Sequence, residues 1–212
     1  TSYIHTSDNL TVGTLDLSDE YERLRREQRN LSRKQHGSNN WEQQRQQVAK
    51  ANREIKRKVL DFQHKLTTWL VTEYDLVAVE DLDVKPMLET SQNAKNKQDA
   101  AWSRFLELLE YKADLHGTHV VSVDPAGTTK ECASCGVATD KPLWVREHSC
   151  PACGHTQDRD LNAAKNILNR GLKKVGAGRS EGTPMQIALP ASSPQREAVD
   201  AKRIVEVGSL GA

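Results

Sequence analysis

KECASCGVATDKPLWVREHSCPACGHTQDRDLNAAKNI, residues 130–167, contains every cysteine of the 212-residue chain and runs directly into an acidic D-R-D-L-N. Cys132, Cys135, Cys150 and Cys153 are spaced C-x2-C-x14-C-x2-C. Thiolates three residues apart reach one tetrahedral ion from a tight knuckle, and two knuckles complete a four-sulfur shell. Gly136 and Gly154 follow the two pairs, where a knuckle needs a residue that turns freely. The spacing predicts a structural zinc module, because four protein ligands leave no open position for catalysis. His148 and His155 are not needed as ligands and read as surface or nucleic-acid-facing residues.

Upstream of this stretch the pattern alternates between strands and helices. Residues 120–123 (VVSV) form a short apolar strand ended by Asp124-Pro125. Trp102, Phe105, Leu106, Leu109 and Ala113 mark an amphipathic helix stopped near His116-Gly117. A polar connection around residues 85–99 precedes it, and LVAV (76–79) before that reads as a buried strand ending in Glu80 and Asp81. Val48, Ile55, Val59, Phe62, Leu66 and Trp69 recur at helical spacings, which predicts one long helix ending near Tyr74. Ahead of it, beyond the turn cluster at 36–40, lies a helix from Ser18, with Ser18 as N-cap, so the two make an antiparallel hairpin. SYIHTS and LTVGTLDL flank a Ser-Asp-Asn turn and predict a β-hairpin. Downstream, Leu161–Leu172 is a last helix closed by Gly171 and Lys173-Lys174, and the Gly/Pro/Ser-rich stretch from 175 reads as a flexible tail whose IVEV can dock as a short strand.

Composition narrows the class. No apolar run reaches a membrane span, and the N-terminal residues have no signal-peptide character, which predicts an intracellular location. Cysteines in a reducing compartment favour metal over disulfides. The net charge is only +1, but thirteen Lys or Arg stand against five Asp or Glu between Tyr21 and Leu70. That helical segment can neutralise phosphates, with Arg25, Arg26, Arg29, Arg33, Lys34, Arg53, Lys56 and Arg57 as candidate contacts, or be a solvated face. Glu80 at a strand end and Asp158 and Asp160 after the second knuckle are candidate ligands for divalent ions that cleave phosphodiesters. On spacing alone each is equally a loop or helix cap.

VAVEDLDVKPM, PAGTTKECASCG and CPACGHTQDRDLNAAKNI, in that order and behind a basic helical hairpin, resemble the TnpB (OrfB) family of transposon-encoded, RNA-guided DNA nucleases over roughly residues 1–172. The resemblance implies an α/β, ribonuclease-H-like (RuvC-like) domain with a zinc ribbon inserted before its last motif. The domains expected are a RuvC-like region at 1–127 with the hairpin at about 19–74, the ribbon at 128–156, the last motif and helix at 157–174, and the tail at 175–212. It also implies Glu80 and Asp160 as catalytic ligands of Mg2+, a structural Zn2+ on the four cysteines, and DNA and a guide RNA as partners.

The family's first catalytic aspartate lies in a G-x-D-x-G motif just before a segment like SYIHTSDN, and this sequence has none. Asp8 sits in a turn and Asp16 before a helix, so neither takes the role. The chain resembles the C-terminal part of a family member, lacking the first strand, which in the 3-2-1-4-5 sheet order is central. Its absence would expose strand edges on both sides of a gap. Two functions follow as alternatives: part of an RNA-guided, Mg2+-dependent endonuclease completed by the missing N-terminal part, or a non-catalytic zinc-ribbon nucleic-acid-binding product, truncated or internally initiated. A zinc-ribbon adaptor held by protein contacts is a third.

Overall fold

A computed structural model describes residues 2–81, 93–142, 144–176 and 204–207. The chain divides into two compact units, one of residues 14–66 and one of residues 1–13 with 67–212.

The first unit is helical. Helix α1 (Ser18–Ser32) and the N-terminal part of α2 (Asn39–Glu73) pack through Leu17, Leu24, Ala51 and Ile55, with Val48 and Val59 alongside. Glu54 ties the pair through Arg23 at 2.6 Å, and Glu20 does so through Lys58. Ser18 is not the N-cap that the sequence predicts. It is the first helical residue, and Leu17 is the cap. The capping work falls to Asp16, whose carboxylate accepts from the Ser18 amide at 3.0 Å and hydroxyl at 2.6 Å. An Asp two residues ahead forms this turn more readily than Ser reaches back. At α2 the start is conventional, with Ser38 Oγ accepting from the Trp41 amide at 3.2 Å.

The second unit holds the sheet. Strands β1 (Ser2–His5) and β2 (Thr11–Gly13) form the expected antiparallel hairpin, its turn closed by Asn9 at φ 66°. Helix α3 (Asn93–His116) starts within the stretch read as a polar connection, since Lys, Asn and Gln suit an exposed helix as well as a loop. The rest of that connection, 85–92, lies outside the described residues. Gly117, at φ 74°, stops α3 by donating to Ala113 O at 2.7 Å. Strand β3 (Leu76–Glu80) pairs in parallel with β4 (His119–Val123), Leu76 opposite His119.

Two short strands, β5 (Glu147–Ser149) and β6 (Thr156–Asp158), form a separate hairpin among the cysteines and lead into α4 (Arg159–Lys174). On one face of the sheet Leu76, Ala78, Val121 and Val123 meet Ile167 of α4. Each of the Leu, Val and Ile side chains contributes about 1.5–3 kcal/mol on full burial. Gly171 does not close α4 as the sequence predicts. The helix continues to Lys174, and Gly171 lies inside it, buried, where an added Cβ would stand 2.7 Å from Ala78 Cβ. Its smallness serves a close helix-to-strand approach, and Val175 is the actual C-cap.

The edge of β3 away from β4 is occupied. Residues 204–207 form β7, parallel to β3 with Leu76 opposite Ile204 and Val79 opposite Val207, giving the order β4-β3-β7. β7 also lies against α4 and β1. The remainder of the predicted tail, 177–203 and 208–212, lies outside the described residues.

Candidate functional site

The cysteines converge. The Sγ atoms of Cys132, Cys135, Cys150 and Cys153 all lie within 4.8 Å of one another, with Cys132–Cys153 at 3.7 Å and Cys135–Cys150 at 3.5 Å. A tetrahedral ion with metal–sulfur bonds near 2.3 Å needs sulfur–sulfur edges of roughly 3.8 Å. The quartet therefore fits such an ion with little adjustment.

The two knuckles repeat the same backbone pattern. Cys132 N donates to Val137 O at 3.0 Å and Cys150 N to His155 O at 2.9 Å; Gly136 N returns to Cys132 O at 2.8 Å and Gly154 N to Cys150 O at 3.0 Å. Gly136 and Gly154 have φ of 78° and 71°, which explains glycine at both positions. Amides of Cys153 and Ala152 help pull the Cys150 thiol down to about 6. The Val137 amide favours the Cys135 thiolate, but its sulfur neighbours and desolvation win and push it up to about 12. A shared cation would need all four as thiolates, so its binding would release protons and strengthen as pH rises.

His148 is not on the surface. It is completely buried, with Nδ1 2.9 Å from Lys141 Nζ, and burial first, then the charges of Lys141 and His155, hold its pKa below the usual value. His148 alternates inward on β5, a strand too short for the sequence pattern to reveal. His155 is half-buried and lends its carbonyl to the second knuckle.

The two aspartates of D-R-D have different tasks. Asp158 is the N-cap of α4: its Oδ1 accepts from Asp160 N at 2.8 Å and Leu161 N at 3.1 Å. Asp160, in the first turn, is left out of the cap and faces Arg159 Nε at 3.2 Å and Arg146 Nη1 at 3.7 Å. Glu80, at the end of β3, is buried, with Oε1 3.1 Å from the Thr128 hydroxyl.

Helix α4 runs antiparallel to the strands. Lys174 reaches Ser122 O inside β4, Arg170 reaches Asp124 O just past its end, and Asn166 reaches Thr128 O further on. The N-terminus of α4, with Asp160 about 9 Å beyond Asn166 along the axis, is thus at the end of the sheet that carries Glu80. An open cleft of about 470 Å3 at this end is lined by residues including Asp81, Asp124, Arg170 and Lys174. Among the described residues the cysteines are the one group of three or more His, Cys, Asp or Glu side chains with ligand atoms this close. Among the described residues Glu80 and Asp160 belong to no such group.

Three polar residues that the sequence reading passed over hold this region together. Asn162 Nδ2 donates to Glu131 O at 2.7 Å, and its Oδ1 accepts from Ala133 N at 3.0 Å. Asn166 Nδ2 donates to Thr128 O at 2.8 Å and Glu131 O at 2.7 Å. Thr128 links this loop to Glu80. The available signal was Asn162 and Asn166 one helical turn apart, on a face whose neighbours Ala163 and Ile167 are core.

In the helical unit, Arg25, Arg26, Arg29, Arg33, Arg53, Lys56 and Arg57 are exposed and Lys34 is half-buried. Arg25 and Arg29 line a shallow groove of about 770 Å3 along α1 with Ser18, Glu22 and Ser32. No helix among the described residues is long and apolar enough to cross a membrane.

Known proteins share these features. A family model described as "Probable transposase" matches residues 6–91, and the Cas12f1-like TNB domain matches residues 102–167. A "Putative RNA-guided DNA endonuclease" of Streptomyces pristinaespiralis is 42% identical over 158 residues, which are 74% of this chain and 39% of that protein. InsQ of Escherichia coli K12, of the same description, is 32% identical over 182 residues, 77% of this chain and 45% of the relative. The chain spans less than half the length of either. A chain from the cryo-EM structure of a Cas12f1–sgRNA–target DNA complex shares the fold with a TM-score of 0.53, at 18% identity, over 76% of this chain and 43% of that one. With both family models matched in sequence and these relatives aligned over three quarters of its length, the chain belongs to the TnpB/OrfB family of transposon-encoded proteins.

Proposed function

We propose that this chain is the C-terminal nuclease portion of an RNA-guided, Mg2+-dependent DNA endonuclease of the TnpB type, working in the prokaryotic cytoplasm on guide RNA and target DNA. The observation that carries the reading is the division of labour in D-R-D. Asp158 is consumed by the helix cap, while Asp160 is left out of it, at the sheet end where Glu80 lies. In this reading the fold is ribonuclease-H-like: β1 and β2 are its second and third strands and β3 and β4 its fourth and fifth, with β7 paired to β3. The cysteine quartet holds a structural Zn2+ and forms a ribbon that contacts nucleic acid.

Glu80 and Asp160 would be Mg2+ ligands, and the bound ions would supply activation of the attacking water and stabilisation of the leaving oxygen. Two carboxylates do not complete a two-ion site. Thr128 orients the Glu80 carboxylate, and Arg146 and Arg159 balance the charge of Asp160. The test is guide-directed cleavage of matched DNA by the full-length protein in Mg2+. Glu80→Gln and Asp160→Asn are each expected to abolish cleavage with binding intact; cleavage retained by either defeats the role assignments.

A second reading, a non-catalytic nucleic-acid-binding protein, is favoured by one observation: exposed arginines are plentiful, while no third acid joins Glu80 and Asp160 among the described residues. Salt-dependent binding without Mg2+-dependent cleavage by the full-length protein would select it. Binding unaffected by changing Arg25, Arg26, Lys56 and Arg57 to Glu would exclude the basic hairpin from either reading.

A further inference from the structure

Tryptophan is among the side chains with most to gain from burial. Trp102 is buried and Trp41 and Trp69 are half-buried, but Trp144, between the two knuckles, is 81% exposed. Its backbone is nonetheless firmly held. Val145 N donates to Pro142 O at 3.1 Å, which closes the turn that carries the indole. Arg159 pins the residues that follow: its amide donates to Arg146 O at 2.7 Å and its Nη1 to Val145 O at 3.5 Å. The same guanidinium faces Asp160 through Nε at 3.2 Å, and Arg146 Nη1 faces Asp160 at 3.7 Å. The backbone next to the indole is thus one guanidinium away from Asp160. Residues 141–146, KPLWVR, contain two cations and no acid.

An exposed aromatic ring flanked by cations suits a nucleic-acid strand, whose base stacks on the ring while its phosphates meet Lys and Arg. In a duplex both faces of each base are already covered, so only an unpaired base has a face to offer. We propose that Trp144 is a stacking platform for an unpaired base of a DNA or RNA strand, seating that strand on the cysteine module beside Asp160. The inference rests on the nucleic-acid reading of the ribbon, and adds the form of strand it takes and the residue that holds it. Every base has a π-face, so the platform is indifferent to sequence.

Binding of fluorescein-labelled single strands to the full-length protein tests this, with DNA and RNA measured separately. Trp144→Ala should weaken binding of a base-bearing strand about tenfold, the scale of one base–aromatic stack. An abasic strand of equal length carries the same phosphates and should bind the variant as it binds the parent. Trp144→Phe should keep most of the affinity. Whichever of DNA and RNA shows the Trp144 effect is the strand the platform takes. In the unsubstituted protein, 5-iodouracil placed in that strand should photocross-link to Trp144, a readout that stands even should the alanine variant fail to fold. Equal losses on base-bearing and abasic strands, an alanine variant that binds like the parent, or cross-links confined to other residues would each overturn the platform. Failure of the parent to bind any strand would defeat the nucleic-acid reading itself, and the platform with it.

Discussion

Replacing Gly171 by alanine would set a Cβ 2.7 Å from the Cβ of Ala78. Carbon atoms rest at about 3.5–4.0 Å, so helix and strand must part by roughly 1 Å. Helix α4 is not at liberty to lift, because Asn162, Asn166, Arg170 and Lys174 hold it to carbonyls between Ser122 and Glu131. At an exposed helical position this exchange stabilises by about 1 kcal/mol. Overpacking costs about 1–3 kcal/mol, and the rigid contact puts this site near the upper end. A net loss of about 1–2 kcal/mol is expected, opposite in sign to the helix-propensity effect. At about 2–4 °C per kcal/mol for a chain of this size, Tm should fall by roughly 2–8 °C. Thermal and urea unfolding of the zinc-loaded protein would measure it. Adding Ala78→Gly removes the opposing Cβ and should recover part of the loss as a favourable coupling in the double-mutant cycle. A more stable Gly171→Ala protein, or strictly additive effects, would refute the packing argument.

Elemental analysis should find one zinc per chain, and Cys135→Ser or a chelator should release it and unfold the module, since structural zinc supplies folding free energy. Asp158→Ala should lower stability by about 1 kcal/mol through loss of the cap, whereas Asp160→Asn should leave unfolding midpoints unchanged. Equal losses in the two would mean that both aspartates cap the helix. His148 has a depressed pKa in the folded state, so the unfolded chain binds the extra proton and stability should fall as pH drops below about 6.5. Midpoints measured between pH 5.5 and 7.5 should show a shallower acid loss in His148→Gln than in the parent, and parallel profiles would exclude His148 as the cause.

Where the sequence pattern is long it was readable. The spacing of Val48 to Trp69 predicted α2 because a pattern sustained over six turns averages over local exceptions. The cysteine spacing worked because coordination geometry allows few arrangements. What escaped reading was decided by contacts between segments distant in sequence. Gly171 is indistinguishable from a helix stop until Ala78 is placed beside it. By spacing alone Asp158 and Asp160 are equivalent, and the helix start separates the cap from the uncapped carboxylate. Glu80 reads as a strand terminus, but its hydroxyl partner Thr128 lies in a loop far along the chain. The docking of 204–207 was legible as a β-prone tetrapeptide, whereas its neighbour, β3, and its parallel direction were not.

The loop from Pro125 to Ala133 belongs to two devices at once. Its Thr128 touches Glu80, while Glu131 and Ala133 root the first knuckle, and the asparagines of α4 grip all three. Such a shared beam carries load in both directions. Were the quartet to hold an ion, oxidation of the thiols would eject it and slacken the knuckle, and the Glu80 carboxylate would loosen without any chemistry occurring near it, making the acidic end of the sheet answerable to the redox state of its surroundings.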